Sequence, residues 1–157
     1  MLIKVLGAAL AIFTFSILLE APKKYLWCAG CVGAIGWFVF LISDSLGASV
    51  IVATFISALT IALVSHIFAR IFKAPVTVFL IAGILPTVPG TGMYRIVYYF
   101  IAGDSKNVNY YFTQTLETAG MIAIAIFIMD TIFKVIRGKK WRQNSLMYKE
   151  KEETNVR

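Results

Sequence analysis

The chain has 157 residues, of which 59% are hydrophobic and 15% charged, and its formal net charge is +7. Soluble domains carry roughly 25% charged residues and bury only about 70% of their unfolded surface at this size, so a lipid bilayer must cover part of the apolar surface here. That excludes a soluble enzyme, a nucleic-acid-binding domain and a disulfide-stapled secreted module, and it leaves room for about five helical spans of ~20 residues each.

Val5 to Leu19 is apolar apart from Thr14 and Ser16. A signal peptide would start on a more basic stretch and end at a small-x-small cleavage site. This run ends in Leu-Leu-Glu-Ala-Pro with further spans behind it, and is expected to be a first helix over 5–19. Glu20 to Lys24 forms a turn, and the uncharged run 25–42 forms the second helix. Ser43-Asp44-Ser45 is a second tight turn, and the third helix covers 46–68, with Arg70, Lys73 and Pro75 at its exit. The last span covers 116–136. Residues 1–140 thus form one transmembrane domain, and 141–157 a charged cytoplasmic tail, solvated and disordered from 143 onward.

Between the third and last spans lies 76–101, which as one continuous helix would run ~39 Å against a hydrocarbon core of ~30 Å. Its middle reads Gly83-Ile-Leu-Pro86-Thr-Val-Pro89-Gly90-Thr-Gly92. Prolines and glycines at this density break a regular helix, which predicts two half-helices around an unwound centre. The expected fold class is therefore an all-α integral membrane protein, a five-span bundle with a Pro/Gly-broken fourth helix.

The basic residues orient it. With the broken segment crossing once, Lys23, Lys24, Arg70, Lys73 and the eight Lys/Arg of the last 24 residues share one side, against Lys4 and Lys106 on the other. Lys and Arg concentrate in cytoplasmic loops, so the N-terminus is expected outside and the C-terminus in the cytoplasm. A re-entrant hairpin would turn four basic residues outward. Five of the seven tyrosines lie between Tyr94 and Tyr111 and suit an outer interfacial belt, with Trp27 and Trp141 at the inner side. The basic run from Lys134 to Arg142 suits an anionic inner leaflet.

Irregular backbone persists in a membrane only inside protein or beside a polar cavity, and secondary transporters place such breaks at substrate and ion sites. At this break Thr87 and Thr91 supply hydroxyls, and Gly90 and Gly92 permit close backbone approach. A proline kink that only shapes packing is the alternative. Arg95 reads either as an anchor for a substrate carboxylate or as a snorkelling or ion-paired residue beside Glu117. Asp130 shares a helix face with Ala119 and Ala123, so it should turn into the bundle, where it could relay a proton or pair with Lys134 one turn on. Glu117 is 13 residues from Asp130 and on roughly the opposite face, so the two do not form a carboxylate pair. A lone His66 near the end of the third helix reads as structural. Cys28-Ala-Gly-Cys31 has CxxC spacing without partners for a metal or redox site. Small residues recur at Ala29 and Gly33 and at Ser49, Ala53 and Ser57, which permits close helix contact with this chain or another. Phosphate loops, HExxH, nucleophile elbows and internal repeats are not found in the sequence.

The run Pro75-Val-Thr-Val-Phe-Leu-Ile-Ala-Gly83-Ile-Leu-Pro86-Thr-Val-Pro89-Gly90-Thr-Gly92-Met-Tyr94-Arg95 resembles the signature of the threonine/serine exporter family. More narrowly it resembles the short, separately encoded membrane subunit that corresponds to the C-terminal half of the exporter. The first helix, the Tyr25-Leu-Trp27-Cys28-Ala-Gly entry to the second and the span layout are also similar, so the resemblance covers 1–140. It implies a larger membrane subunit resembling the N-terminal half as partner, export driven by the proton gradient, and a bacterial cell membrane. The implied substrates are threonine and serine, or a dicarboxylate such as succinate. It points to Gly83, Pro86, Pro89, Gly90, Gly92, Tyr94 and Arg95 as the segment that matters. The expectation is one half of a two-component exporter: Thr87 and Thr91 meet substrate hydroxyls, and Asp130 or Glu117 handles the proton. Membrane lipid is a further partner and homo-oligomers are compatible; no enzyme activity, cofactor, metal or nucleic acid is expected. A non-transporting scaffold subunit is the rival reading.

Overall fold

The computed structural model describes the backbone of residues 2–20 and 22–155, and side chains over 3–20 and 22–136. In chain order the helices are α1 (Leu2–Leu18), α2 (Leu26–Ser45), α3 (Val50–Phe72), α4 (Val76–Ile84), α5 (Gly90–Ile101) and α6 (Ser105–Asn155). Short 3-10 turns at Lys23–Tyr25 and Leu85–Thr87 lead into α2 and out of α4.

Four of the reversals pass through a left-handed residue: Glu20 (φ 54°), Gly47 (φ 84°), Lys73 (φ 50°) and Gly103 (φ 76°). Glycine takes this conformation without a Cβ penalty, which fixes where α2 and α5 stop. After Gly47, Ser49 caps α3 by accepting from the Val52 N–H (3.4 Å). This shifts the turn expected at 43–45: α2 runs through those residues, and α3 starts at Val50 rather than 46. After Gly103, Asp104 accepts from the backbone N–H of Asn107 (3.1 Å) and from its side-chain Nδ2 (2.6 Å). These bonds lower the Asp104 carboxyl from its ordinary value, the backbone one most. With that cap, α6 begins at Ser105, not at 116, and 105–115, expected as part of a loop over 102–115, form its first turns with Tyr110 and Tyr111. α6 also stays helical to Asn155, where disorder was expected from 143. The tail side chains, Trp141 among them, lie outside the described residues.

Among the described residues, three helices are long and apolar enough to cross a membrane: Lys23–Ser45, Val50–Phe72 and Ser105–Ile136. Val76–Thr87 and Gly90–Ile101, bent by 48° across the intervening residues, make a fourth if taken as one span. α1 has 17 residues, and its ~26 Å fall short of the ~30 Å hydrocarbon core. The chain is an all-helical membrane protein with three to four span-length elements, where the sequence led to an expectation of five.

Packing follows the small residues. α1 lies on α2, α2 on α3, α3 on α6 and α6 on α5, while α4 contacts both α2 and α3. Ile12 of α1 fills the space above Gly33, where any side chain would overlap it. Ser57 donates across to the Gly36 carbonyl (2.7 Å), and Ile61 occupies the space a Gly36 side chain would need. Ala53 and Ser57 are fully buried, so these small residues serve contacts within this chain; Ser49 is the α3 cap. Phe79 of α4, also fully buried, is ringed by Tyr25, Phe68 and Phe72 at centroid distances of 5.5, 6.0 and 6.1 Å. This aromatic cluster holds α4 between α2 and α3 at the end opposite the tyrosine belt.

Candidate functional site

The α4–α5 connection follows from its two prolines. Proline disfavours the helical region for the residue before it: Val88 ahead of Pro89 is extended (ψ 131°), whereas Leu85 ahead of Pro86 stays helical (φ −47°, ψ −45°) and the chain tightens there into a 3-10 turn. Thr87 folds its hydroxyl back onto the Ile84 carbonyl (2.7 Å), satisfying a group that the end of α4 leaves free. The α5 ladder starts with the Met93 N–H on the Pro89 carbonyl (3.2 Å), so the N–H groups of Thr91 and Gly92 precede it.

Beside this connection is a cavity of about 310 Å³, bounded by α2, the start of α3, the α4–α5 connection, α5 and the N-terminal part of α6. Of the residues singled out in sequence, Pro86, Thr87, Pro89, Thr91, Gly92 and Arg95 line it. Three do not. Gly83 is buried behind it, where an added Cβ would stand 2.7 Å from Val32 Cγ1 and 3.1 Å from Ile61 Cγ2. Gly90 faces open space. Tyr94 points away, 70% exposed, and stacks on Tyr98 at 6.3 Å. Gly92 lets α5 approach α6, since a side chain there would meet Thr115 Oγ1.

The cavity lining carries both donors and acceptors. Arg95 donates through Nη1 to the Tyr111 hydroxyl (3.0 Å), and its guanidinium lies 5.1 Å from the Tyr111 ring centroid. Tyr111 in turn stacks on Tyr99 at 5.4 Å. The Glu117 ion pair considered for Arg95 does not form; Glu117 is exposed, and the ion pairs among the described residues both involve Asp130. The guanidinium thus has donors left for an anion. Also in the lining, Thr54, Thr87 and Thr118 each donate to a carbonyl of their own segment, Val50, Ile84 and Gln114 respectively, at 2.7, 2.7 and 2.8 Å. Their protons are committed, so their oxygen lone pairs remain as acceptors. Trp37 and Phe40, stacked at 5.0 Å, and the Gln114 side chain complete the lining.

Sequence reading missed Trp37, Phe40, Thr54, Tyr111, Gln114, Thr115 and Thr118 as lining residues. The last four recur at three- and four-residue spacing, a polar stripe on one helix face. The stripe becomes legible once α6 is started at Asp104.

Asp130 lies in the other half of the bundle, 45% exposed. Its Oδ1 is 3.1 Å from His66 Nε2 on α3, and its Oδ2 is 3.4 Å from Lys134 Nζ. His66, read as structural from sequence, is 5% exposed and stacks on Phe133 at 4.4 Å. Asp130 therefore does meet another helix, though not through the alanine face. Ala119 and Ala123 are exposed, and it is Ile122 and Ala125 that bury against Ala58 of α3.

A family model described as "Threonine/Serine exporter, ThrE" matches residues 4–132. A "Probable threonine/serine exporter" of Mycobacterium tuberculosis (strain ATCC 25618 / H37Rv) is 30% identical over 118 residues, covering 75% of this chain and 22% of the relative. The chain thus spans less than a quarter of the length of that relative. No solved structure matches.

Proposed function

The chain belongs to the threonine/serine exporter family, and from that premise we propose that it forms part of the substrate path of a secondary exporter of small hydroxylated amino acids. The observation that carries this is a cavity lined by both Arg95 and the threonines Thr54, Thr87 and Thr118. A carboxylate is received by Arg95 and the leading N–H groups of α5, where the helix dipole adds partial positive charge. An ammonium or hydroxyl is received by the lone pairs of Thr54, Thr87 and Thr118. The volume of about 310 Å³ stands at the ~300 Å³ lower end of small-molecule sites, which favours a small ligand. A dicarboxylate such as succinate is the second reading. It is favoured by a lining that holds Arg95 and no carboxylate of this chain.

In this reading the path is completed by a larger membrane subunit resembling the other half of the exporter, in a bacterial cell membrane. α1 and the bent α4–α5 pair each cross, the N-terminus faces out and the C-terminus faces the cytoplasm. The proton gradient drives export, with Asp130 as the proton-handling carboxylate. Glu117, exposed and without an ion-pair partner among the described residues, has no comparable setting.

The test is counterflow of labelled threonine, serine and succinate in proteoliposomes, with the chain alone and with its larger subunit. Uptake with both subunits, lost in Arg95→Ala and reduced in Thr118→Val, is expected. Wild-type uptake in both variants would sink the cavity assignment. Absence of counterflow from an intact complex would favour a scaffold role.

A further inference from the structure

We infer that His66 and Asp130 hold one proton between them and that this proton latches α3 to α6. The inference rests on the exporter reading only for its consequence, not for the proton itself. His66 Nδ1 lies 2.9 Å from the Ala62 carbonyl, which can only accept, so Nδ1 carries a hydrogen. In neutral imidazole that leaves Nε2 a bare lone pair, yet Nε2 lies 3.1 Å from Asp130 Oδ1. A lone pair and a carboxylate oxygen repel at that distance unless a proton lies between them. Either the imidazolium donates to the carboxylate or the carboxylic acid donates to the imidazole, and both arrangements hold one proton more than the separated neutral histidine and aspartate. The opposite tautomer moves the clash to Ala62.

The surroundings give the proton a route off and the carboxylate somewhere to go. His66 is buried while Asp130 is half-exposed, so the proton leaves along the Asp130 side. The bond to the proton breaks, its electron pair stays on Nε2 or the carboxylate, and water takes the proton. Lys134, 3.4 Å from Oδ2, then holds the carboxylate. The other cation at the pair is Arg70, whose guanidinium lies 4.7 Å from the centroid of the Phe133 ring that stacks on His66. α4 has no ionisable side chain, and Cys28, Cys31 and Asp44 of α2 make no hydrogen bond to the pair.

The latch reaches the cavity because both sites use the same two helices. Thr54 and His66 are on α3, and Thr118 and Asp130 are on α6; each pair is separated by about 18 Å of helix. Between them lies the apolar seam of Ala58, Ile122 and Ala125. Among the described residues the His66–Asp130 contact is the hydrogen bond that joins α3 to α6, so loss of its proton loosens the seam on which the cavity closes.

The chain holds a single histidine, so 15N NMR of the histidine-labelled full chain in lipid nanodiscs reads this site alone. Wild type should show Nδ1 protonated and a proton shared between Nε2 and the carboxylate, seen as a far-downfield hydrogen-bonded proton coupled to Nε2. Asp130→Asn should lose that downfield proton, and Asp130→Glu should restore it. A wild-type imidazole protonated on Nε2 alone, or a downfield proton that persists in Asp130→Asn, overturns the shared proton. Neither result depends on transport, so failure here is distinct from failure of the exporter reading. In proteoliposomes with the larger subunit, His66→Gln and Asp130→Asn should lose accumulation driven by a pH gradient, and Asp130→Glu should retain it. Wild-type accumulation in both His66→Gln and Asp130→Asn overturns the coupling.

Discussion

At the scale of single residues, Arg95 shows how a charge in an apolar helix is used. Its guanidinium makes one hydrogen bond, to Tyr111, and rests on that ring, which leaves a fork open toward the cavity. Arg95→Lys keeps the charge and loses the planar fork, so counterflow should fall at least about tenfold, equivalent to ~1.4 kcal/mol of binding. The check is the concentration of threonine at half-maximal exchange in the two proteins. Ser57 is a purely structural contrast. Its hydroxyl ties α3 to the Gly36 carbonyl in a fully buried contact. Interhelical hydrogen bonds in membranes average ~0.6 kcal/mol, so Ser57→Ala should lower unfolding stability by that order and leave exchange unchanged.

At the scale of elements, boundaries are set by caps and left-handed turns, and interfaces by small residues. Gly33→Leu places a side chain where Ile12 already sits. α1 should then be displaced from α2, at a cost of ~1–3 kcal/mol, read as new protease cleavage between the two helices. The start of α6 depends on the Asp104 cap, whose carboxyl is lowered by the Asn107 backbone and side-chain bonds. A depressed acid contributes its stabilisation fully above its unfolded value, ~3.9, and loses it as the pH falls through the lower folded value. Amide exchange in the first turn of α6 should therefore quicken in strong acid, beyond the intrinsic pH effect. Asp104→Ala should remove that extra step and leave the turn weakly protected at neutral pH.

At the scale of the whole molecule, the α4–α5 pair decides the topology. Lys73 precedes it and Lys106 follows it. If the pair crosses once, Lys73→Cys and Lys106→Cys, each in a chain with Cys28 and Cys31 replaced by Ala, should label from opposite sides with an impermeant thiol reagent. Labelling from one side would make the pair a re-entrant loop and reverse α1 to α3 relative to α6. The two polar sites also separate at this scale. The cavity lies toward the tyrosine-rich end and the His66–Asp130 pair toward the other, on a shared α3–α6 seam.

Composition alone established a membrane chain, because no soluble fold of this length could bury so much apolar surface. The Pro86–Gly92 run placed the irregular segment, because proline lacks an N–H wherever it stands, and the run to Arg95 carried the family resemblance. The spacing of Asp104 and Asn107 marks the cap from which α6 starts at Ser105, although the polar residues that follow read as loop. What only the tertiary structure decided is which side chains meet. Gly83 and Gly90 share a motif with Gly92, yet one is core, one faces open space and one faces the cavity, because Gly83 is on α4, packed on α2 and α3, while Gly90 and Gly92 lie on nearly opposite faces of α5. His66 and Asp130 stand 64 residues apart in sequence. The chain alone shows each as an isolated polar group, and only the packing of α3 on α6 brings them within reach of one proton.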